Sequence, residues 1–428
     1  MKIGFYLQNA NVAEADLSHP LDGNPGVGGT EYMFAAIPYA LQQAVQASGS
    51  PHEIVLLANS TARLPEGLAT ARATDDTLGA TAARLGLDAV VIRYSAANLR
   101  LGAALPAACS AVYWTHNFVP RAELTQLARA PYVKAIVCVG TEQLHFYRDH
   151  SAYAKSVVIF NGYPVRHFAD HVAPRVSPFA SRGHEVTFLG NIVDFKGFHL
   201  LADAWPQVVA AVPDAHLNVI GGARLYDRSQ SLGPYGIAEK SYEERFMPAL
   251  VGSDGKILPS VTFHGVLGNE KDAILNRTRV GVPNPSGVSE TFCIAALELQ
   301  LWGAVIATID YGGFRDTVGA TGVLYRTPAE LADAIIRQLR RTDNAYEAFV
   351  DFARRFDFEA VALDWLRLFD ALAAGEPLER VLKPAAVPRA HARKEFNRRL
   401  KRLLPFGRLL PSAMFYSSLL NRINIFNR

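Results

Sequence analysis

Two glutamates, Glu290 and Glu298, stand eight positions apart where a loop containing Pro285-Ser286-Gly287 runs into an apolar helix. A buried carboxylate is costly unless it has partners, so this pattern predicts a ligand rich in hydroxyl groups. The free N–H groups in the first turn of a helix favour an anion. Together these features predict a nucleotide-sugar site.

The residues between the glutamates are Thr291, Phe292 and Cys293, followed by a run of apolar side chains. If residues 291–298 are helical, the carboxylates lie on neighbouring faces, with a spacing that suits one on a transferred sugar and one on a ribose. The ordinary alternative is a helix with one acid at its N-terminus and a second in solvent. The apolar neighbours of Glu298 argue against that alternative.

Two further segments lie where a strand meets a helix. The glycine-rich loop Gly26-Val27-Gly28-Gly29 precedes the first helix, and its backbone amides could approach a phosphate closely, although a flexible turn would explain it equally well. Lys196 lies between a strand end and a helix start in the second half of the chain. It is well placed to meet a diphosphate, whereas a lysine elsewhere is ordinarily a surface residue.

His116 follows a strand in the first half, at the sheet edge where α/β domains present ligand groups. It could donate to a sugar hydroxyl or polarise a phosphate oxygen, although a lone histidine is more often structural. Asn161-Gly162 is interpreted as a turn at a hinge. Gly312-Gly313 either approaches the ligand with its backbone or forms a plain loop.

Short β-branched runs alternate with helical stretches, which predicts an α/β protein with two doubly wound Rossmann-like domains that face a central cleft. Predicted strands of the first series are 2–7, 53–58, 88–92, 111–114, 135–139 and 156–160. Those of the second are 185–190, 215–220, 261–264, 278–282 and 304–308. The predicted domains are 1–170 for the acceptor, 185–358 for the nucleotide sugar, a helix at 359–375 that crosses back to the first domain, and a basic tail at 376–428.

The chain of 428 residues is long enough for two cores, and its 3 cysteines have no spacing typical of zinc or disulfides. No apolar run is long enough to span a bilayer, and the N-terminus lacks the features of a signal peptide. These features favour a cytoplasmic protein with reduced cysteines.

Taken together, the ordered motifs resemble the retaining glycosyltransferases of family 4, which have the GT-B fold. The resemblance covers about residues 1–373. It implies that Lys196, Gly28 and Gly29 bind the donor diphosphate together with residues 291–293, and that Glu298 meets the ribose. It also implies that Glu290 and His116 lie at the sugar as the catalytic candidates.

Three positions depart from the family pattern. Asn191 stands where the family usually has an arginine that helps to neutralise the diphosphate, so Lys196 or another cation must carry more of that load. Cys293 replaces a common glycine at the start of the helix, and Asp316 stands where glutamate is more usual.

The resemblance implies transfer of a hexosyl unit from a UDP- or GDP-sugar to an acceptor hydroxyl, with retention of configuration. No cofactor is expected, and no metal is expected because Asp-x-Asp is missing from the strand ends. The acceptor is expected to be a carbohydrate or a lipid-linked saccharide of a bacterial surface glycan such as lipopolysaccharide. Two alternatives remain open: a GT-B-fold epimerase and a non-catalytic nucleotide-sugar-binding module.

Residues 389–428 hold ten lysines and arginines and one acid, Glu395, whereas the rest of the chain has more acidic than basic side chains. Phe396, Leu400, Leu403 and Leu404 recur at helical spacing among these cations. Such a tail could lie on an anionic membrane at the inner face of the plasma membrane. The alternatives are a helix packed on the acidic body or a disordered segment. Nucleic acid is not expected as a partner, because the tail lacks a recognised binding motif.

Overall fold

The computed structural model describes residues 1–225, 230–384, 386–407 and 410–415. Two all-parallel sheets organise these residues, one with seven strands and one with six. The strands of the first sheet are β1 (Lys2–Leu7), β2 (Glu53–Ala58), β3 (Ala69–Arg72), β4 (Ala89–Arg93), β5 (Ser110–Thr115), β6 (Val133–Cys138) and β7 (Ser156–Val158). Those of the second are β8 (Glu185–Leu189), β9 (His216–Ile220), β10 (Val261–Gly265), β11 (Val280–Gly281), β12 (Val305–Ile309) and β13 (Val323–Tyr325).

Helices connect the strands in both halves. In the first half they are α1 (Gly29–Ser48), α2 (Leu78–Leu85), α3 (Leu99–Ala103), α4 (Arg121–Arg129), α5 (Thr141–Phe146) and α6 (Val165–His171). The second half and the C-terminal segment contain α7 (Phe198–Ala211), α8 (Lys240–Phe246), α9 (Asp272–Arg277), α10 (Ile294–Leu301), α11 (Phe314–Thr317), α12 (Leu331–Leu339), α13 (Tyr346–Ala353), α14 (Phe358–Ala373) and α15 (Ala392–Leu403).

The strand order of each sheet has a point at which the chain reverses its direction of winding. The orders are β3-β2-β1-β4-β5-β6-β7 and β10-β9-β8-β11-β12-β13, so the reversals lie between β1 and β4 and between β8 and β11. Ligands of doubly wound sheets bind outside the carboxyl ends of the strands at such points. The loops that leave β1, β8 and β11 carry the glycine-rich loop, Lys196 and Glu290 respectively.

Helix α14 packs on the first domain although it follows the second in sequence. Its Trp365 is fully buried, with ring centroids 5.3 Å from Phe5 and 5.1 Å from Trp114. Asp357 caps the helix by accepting a hydrogen bond from the Glu359 backbone N–H, and it also accepts one from the Arg166 backbone N–H. The end of the second domain is thereby fixed to the body of the first.

Helix α15 also packs on the first domain, against α5 and the turn that follows it. Its Glu395 carboxylate accepts a hydrogen bond from Arg148 at 2.8 Å, and both side chains are buried there. Of the predicted tail, residues 385, 408–409 and 416–428 lie outside the described residues. Within the described part of the chain, no helix is both long and apolar enough to cross a bilayer.

Candidate active site

A cavity of about 720 Å³ lies between the two domains. Residues from both sheets line it, and they include most of the positions singled out from the sequence. These are Gly29, His116, Lys196, Glu290, Thr291, Phe292, Cys293 and Glu298. Gly28 lies one residue outside this lining and forms the N-cap of α1.

Glu290 and Lys196 form an ion pair on the C-terminal side of the cleft. Lys196 Nζ lies 3.0 Å from Glu290 Oε2, and Asn284 Nδ2 donates to the same oxygen at 2.9 Å. Burial raises the pKa of Glu290, but the Lys196 charge outweighs it, together with hydrogen bonds from Asn284, Lys196 and the Phe292 backbone, so the net pKa is lowered. Glu290 is therefore a carboxylate, able to accept hydrogen bonds from ligand hydroxyls.

Glu298 forms a second ion pair, which is more completely buried than the first. Its Oε1 lies 3.2 Å from Lys271 Nζ and accepts a hydrogen bond from the Tyr163 hydroxyl. Lys271 Nζ also donates to the Asn24 backbone carbonyl of the first domain at 2.8 Å. Tyr163 and Asn24 come from the N-terminal half, so both domains hold this carboxylate in place.

A third ion pair lies on the N-terminal side, where Arg93 at the end of β4 donates to Glu31 in the first turn of α1 at 2.6 Å. Among the described residues that line the cleft, the charged side chains are these three cations and three glutamates. Each cation is paired with one glutamate, so the lining carries no net charge from its lysines, arginines and acids.

The two helix N-termini at the cleft approach each other across the domain boundary. A Cβ built on Gly29, the first residue of α1, would lie 3.2 Å from Ile294 Cδ1, the first residue of α10. Gly26 is even closer to the second domain, because a Cβ there would lie 2.7 Å from the Leu267 carbonyl oxygen. The glycines allow this approach and direct two positive helix ends toward one region.

The expected helix over 291–298 is wrong at its start, because α10 begins at Ile294. Residues 291–293 form an irregular segment in which Cys293 adopts φ 69°, in the left-handed region that glycine prefers. The Phe292 amide is used by the Glu290 carboxylate, and its ring packs against Phe160 and Phe356. The helical amides that could meet an anion therefore begin at Ile294, three residues later than the sequence indicated.

His116 lies beside the cleft with a neutral ring. Burial, followed by the positive charge of Arg93, lowers the pKa of His116 to about 3. Asn161 and the Trp114 backbone approach the ring, but neither ring nitrogen makes a hydrogen bond of good geometry. The His116 backbone carbonyl accepts from Thr291 Oγ1 at 2.6 Å. A neutral imidazole can donate through one nitrogen and accept through the other, which suits a hydroxyl ligand.

Two asparagines share this lack of partners. Asn191 is 2% exposed and neither its Oδ1 nor its Nδ2 has a partner, and Asn161 Oδ1 is also unpartnered. Both line the same cleft as His116. Since buried polar atoms are nearly always hydrogen-bonded, this concentration of unmet groups indicates a polar ligand.

Sequence reasoning missed several of these residues: Asn24, Arg93, Asn161 as a cleft residue, Lys271 and Asn284. Arg93 and Asn284 could have been predicted from their positions. Arg93 is the last residue of β4 and Asn284 follows β11, and both strands lie at a winding reversal. Lys271 lies seven positions beyond the predicted strand 261–264, and nothing in its local sequence pairs it with Glu298. Asn161 stands in an Asn-Gly pair that resembles an ordinary turn.

Comparison with known proteins shows which proteins this chain resembles. Residues 183–341 match the family described as glycosyl transferases group 1. Over 231 residues the chain is 27% identical to a phosphatidyl-myo-inositol mannosyltransferase of Mycobacterium tuberculosis, a match that covers 51% of this chain and 54% of that protein. The chain thus spans about half the length of the curated relatives that it matches.

Solved structures resemble the whole two-domain body. Sucrose-phosphate synthase from Thermosynechococcus elongatus superposes with a TM-score of 0.63 at 19% identity, over 88% of this chain and 100% of that one. Anabaena HepE, solved with UDP-glucose, superposes with a TM-score of 0.57 at 14% identity, over 87% of this chain and 100% of that one. The expected GT-B fold and the resemblance to group 1 glycosyltransferases are therefore confirmed.

Proposed function

We propose that this protein transfers a hexosyl unit from a nucleoside diphosphate sugar to an acceptor hydroxyl with retention of anomeric configuration. The observation that carries the proposal is the pair of buried carboxylates, Glu290 and Glu298, each held by a lysine in the cleft between two parallel sheets. The group 1 match and the nucleotide-sugar complex of a protein with this fold support the same conclusion.

The donor diphosphate is assigned to the region between Lys196 and the N-termini of α1 and α10. A diphosphate there competes with Glu290 for Lys196, because the lysine lies 3.0 Å from the carboxylate. When Lys196 turns toward the phosphates, Glu290 becomes available for hydroxyls of the transferred sugar. Glu298 keeps its lysine partner and accepts from the ribose, which fixes the nucleoside end of the donor.

The chemical step breaks the bond between the anomeric carbon and the diphosphate oxygen and forms a bond from that carbon to the acceptor oxygen. Negative charge develops on the leaving oxygen, where Lys196 and the helix N-termini stabilise it. The leaving diphosphate takes the acceptor proton on the same face, which requires no side-chain base. His116 remains neutral, as its lowered pKa dictates, and orients sugar hydroxyls by hydrogen bonding.

Asn191 and Asn161 add neutral hydrogen-bonding groups to the same site. Asn191 replaces a cation that the family resemblance would place beside the diphosphate, so the positive helix ends and Lys196 carry the stabilisation. We assign a UDP- or GDP-sugar as donor, with no metal and no cofactor. Within the described residues, no cluster of three or more His, Cys, Asp or Glu side chains has the arrangement of a metal site.

For the acceptor we propose a carbohydrate or lipid-linked saccharide of a bacterial surface glycan. The name of the mannosyltransferase relative includes a phospholipid, phosphatidyl-myo-inositol. The basic C-terminal segment would be attracted to an anionic membrane. The protein would then act in the cytoplasm, at the inner face of the plasma membrane.

A panel of UDP-, GDP- and other nucleoside diphosphate sugars tests the proposal. Purified full-length protein is incubated with each donor, and release of nucleoside diphosphate is followed with and without simple sugar acceptors. The proposal expects release from one donor class, stimulated by an acceptor. The anomeric configuration of the product is then read by NMR.

Other outcomes contradict the proposal in defined ways. Interconversion of the sugar without release would indicate the epimerase, and saturable binding without any turnover would indicate a binding module. A product with inverted configuration would retain the transferase but refute the assigned stereochemistry.

A further inference from the structure

The polarity of α15 is reversed relative to an ordinary surface helix. Its apolar side chains point away from the protein: Phe396 is 69% exposed and Leu403 is 82% exposed. Beyond the helix, Leu404 and Phe406 are exposed as well. The side that faces the first domain is polar instead, and consists of Lys394, Glu395, Asn397, Arg398 and Lys401. An amphipathic helix on a globular protein normally buries its apolar stripe. The exposed stripe of α15 therefore indicates a binding surface for an apolar partner.

Polar contacts on the inner side fix the helix in this orientation. Arg148, which is 3% exposed, donates to Glu395 at 2.8 Å. Asp149 accepts from Asn397 Nδ2 at 2.7 Å, and its backbone carbonyl accepts from Lys401 Nζ at 2.6 Å. Hydrogen bonds from Arg398 and Arg148 lower the pKa of Glu395 to about 2, so its carboxylate stays charged at any physiological pH.

Cations surround the exposed apolar face. Arg393, Arg399 and Arg402 are exposed along the helix. Arg399 also contacts Glu395, and Arg402 contacts Glu379, so the guanidinium groups are held near the helix while remaining open to solvent. An apolar stripe flanked by arginines matches the interface of an anionic bilayer, where hydrocarbon lies beneath a layer of negative headgroups.

We propose that the outward face of α15, together with Leu404 and Phe406, is a preformed docking surface for an anionic lipid bilayer. The helix lies in the plane of the interface, with Phe396 and Leu403 inserted below the headgroups and the arginines among them. The docked position is set by the folded protein, because the polar contacts to Arg148 and Asp149 are present without lipid. This part of the inference does not depend on the transferase activity.

A chain of aromatic rings runs from the inner side of α15 toward the second domain. Lys394 Nζ lies 4.0 Å from the ring centroid of Phe146, which lies 5.5 Å from that of Phe118. Phe118 in turn lies 6.4 Å from Tyr311, a half-exposed residue of the second domain. Two residues later, the Gly313 backbone N–H donates to the Glu290 carbonyl.

This aromatic path, Phe146-Phe118-Tyr311, joins the membrane-facing helix to the segment that carries Glu290. An acceptor whose hydrocarbon part stays in the bilayer can lie along it and present its polar end to the cleft. This second step rests on the proposed function and specifies its acceptor class as amphiphilic and membrane-resident.

Vesicle flotation of the full-length protein tests the docking surface. Vesicles of phosphatidylcholine alone are compared with vesicles of equal parts phosphatidylcholine and phosphatidylglycerol. The proposal expects binding to the anionic vesicles that weakens with added salt. The double variant Phe396→Ser, Leu403→Ser should lower the partition coefficient by roughly tenfold or more, because two large apolar groups no longer insert.

Leu363→Ser is the matched control, because Leu363 is an exposed leucine of α14 outside this surface. It should float like the wild type, and thermal melts should verify that all variants are folded. Arg393→Gln with Arg402→Gln should reduce binding to the anionic vesicles. Equal flotation of the wild type and the Phe396/Leu403 double variant would overturn the proposal.

Another occupant of the face would also be detected. If the double substitution left flotation unchanged but altered the elution volume in gel filtration, the face would join two copies of the chain, and the proposal would be wrong. Donor turnover with a soluble acceptor is measured in parallel. If the wild-type protein floats with the anionic vesicles but shows no donor turnover, the transferase proposal is refuted and the docking surface is still supported.

Discussion

Charge balance among single residues defines how the cleft can work. The lining places Arg93, Lys196 and Lys271 each against a glutamate, so an incoming diphosphate finds no unneutralised lysine or arginine among the described lining residues. Binding must therefore rearrange one pair. The Lys196–Glu290 pair is the candidate, because Lys196 remains 19% exposed whereas Lys271 is enclosed.

Substitution of either member of this pair should abolish transfer. Glu290→Gln removes the charge that accepts from sugar hydroxyls while keeping the side-chain size, and Lys196→Ala removes the cation assigned to the diphosphate. We expect kcat to fall by about 10²–10³-fold in each, the scale seen when one group that stabilises a transition state is removed. Steady-state release of nucleoside diphosphate measures the loss.

Glu347→Gln on α13 is a matched control, since it changes an exposed glutamate outside the cleft. Urea denaturation of all three variants should show a cooperative transition. Full activity in either cleft variant would refute the roles given to Glu290 and Lys196.

The neutral state of His116 has a consequence for stability. The pKa of His116 in the folded protein is about 3, against 6.5 for an ordinary histidine, so between these pH values the unfolded chain binds a proton that the folded chain does not. The contribution of the neutral ring is full above pH 6.5 and is lost as pH falls toward 3. His145 and His150 act in the same direction, because burial lowers the pKa of each to about 4.

We therefore expect the Tm of the wild type to fall as the pH is lowered from 6.5 to 4. The Tm of His116→Gln should fall less steeply over the same range. Differential scanning calorimetry at several pH values measures both slopes. Parallel curves for the two proteins would mean that His116 protonates equally in the folded and unfolded states.

Single-residue patterns predicted only part of the site. Glu290, Glu298 and Lys196 could be found because their types and positions at strand ends are unusual in apolar surroundings. The partner of Glu298 could not, because Lys271 reaches it through the fold. Nor does the sequence show that Asn191 is buried with both polar atoms unmet.

At the scale of elements, the loops that leave β8 and β9 are packed backbone to backbone. Gly221 has φ 125°, and a Cβ built there would lie 1.8 Å from the Gly190 carbonyl oxygen. Both residues line the cleft, so the shape of the donor side depends on this contact. Any side chain at Gly221 must push one strand end away from the other.

Gly221→Ala should therefore lower the free energy of unfolding by more than backbone strain alone would. We expect a loss of unfolding free energy above about 3 kcal/mol, since the methyl group meets backbone and not a flexible side chain. Gly255→Ala is the control: φ is 74° there, and nothing lies within 4 Å of the built Cβ. Its cost should be about 1 kcal/mol.

Denaturant unfolding measures both variants, and nucleotide binding should weaken only in Gly221→Ala. Equal stability losses in the two variants would show that the strand ends can separate freely.

The elements themselves were largely predictable. All eleven predicted strands overlap a strand of the structure, because buried parallel strands are continuous β-branched runs. The short edge strands β3 and β13 were not predicted: β3 reads Ala-Thr-Ala-Arg and is mostly exposed, so it has no hydrophobic pattern. The start of α10 was misplaced because the left-handed conformation of Cys293 is not encoded by residue type.

At the scale of the whole molecule, polar contacts join the two domains in addition to the apolar packing between them. Asp316 accepts from the Thr141 backbone N–H at 2.8 Å and from its hydroxyl at 2.7 Å. Burial raises the pKa of Asp316, although these bonds and Arg355 oppose the shift. The family departure at this position thus lies at the domain contact and not in the cavity lining.

Asp316→Ala should favour a more open arrangement of the domains. Loss of two hydrogen bonds to a buried carboxylate should weaken donor binding by roughly tenfold, or about 1.4 kcal/mol, since closure must then be driven by the ligand. Calorimetric titration with nucleoside diphosphate measures the affinity, and small-angle scattering measures the radius of gyration. Asp343→Ala, an exposed control, should change neither. An unchanged affinity in Asp316→Ala would show that Asp316 does not stabilise the closed form.

Two domains and a cleft followed from the order of strands and helices along the chain. The orientation of the tail did not, because its helical pattern is the same whichever face is buried. Contacts with the folded first domain, among them those of Arg148 and Asp149, make the polar face of α15 the one that packs on the protein.

The most direct test of the account is a crystal structure with the nucleoside diphosphate sugar, or an unreactive analogue of it, that the donor panel identifies. The account predicts Glu290 within about 2.6–3.2 Å of a sugar hydroxyl, Glu298 at the same distance from a ribose hydroxyl, and Lys196 on the diphosphate. A ligand bound elsewhere, with Glu290 still held by Lys196 and Glu298 contacting only protein, would contradict it.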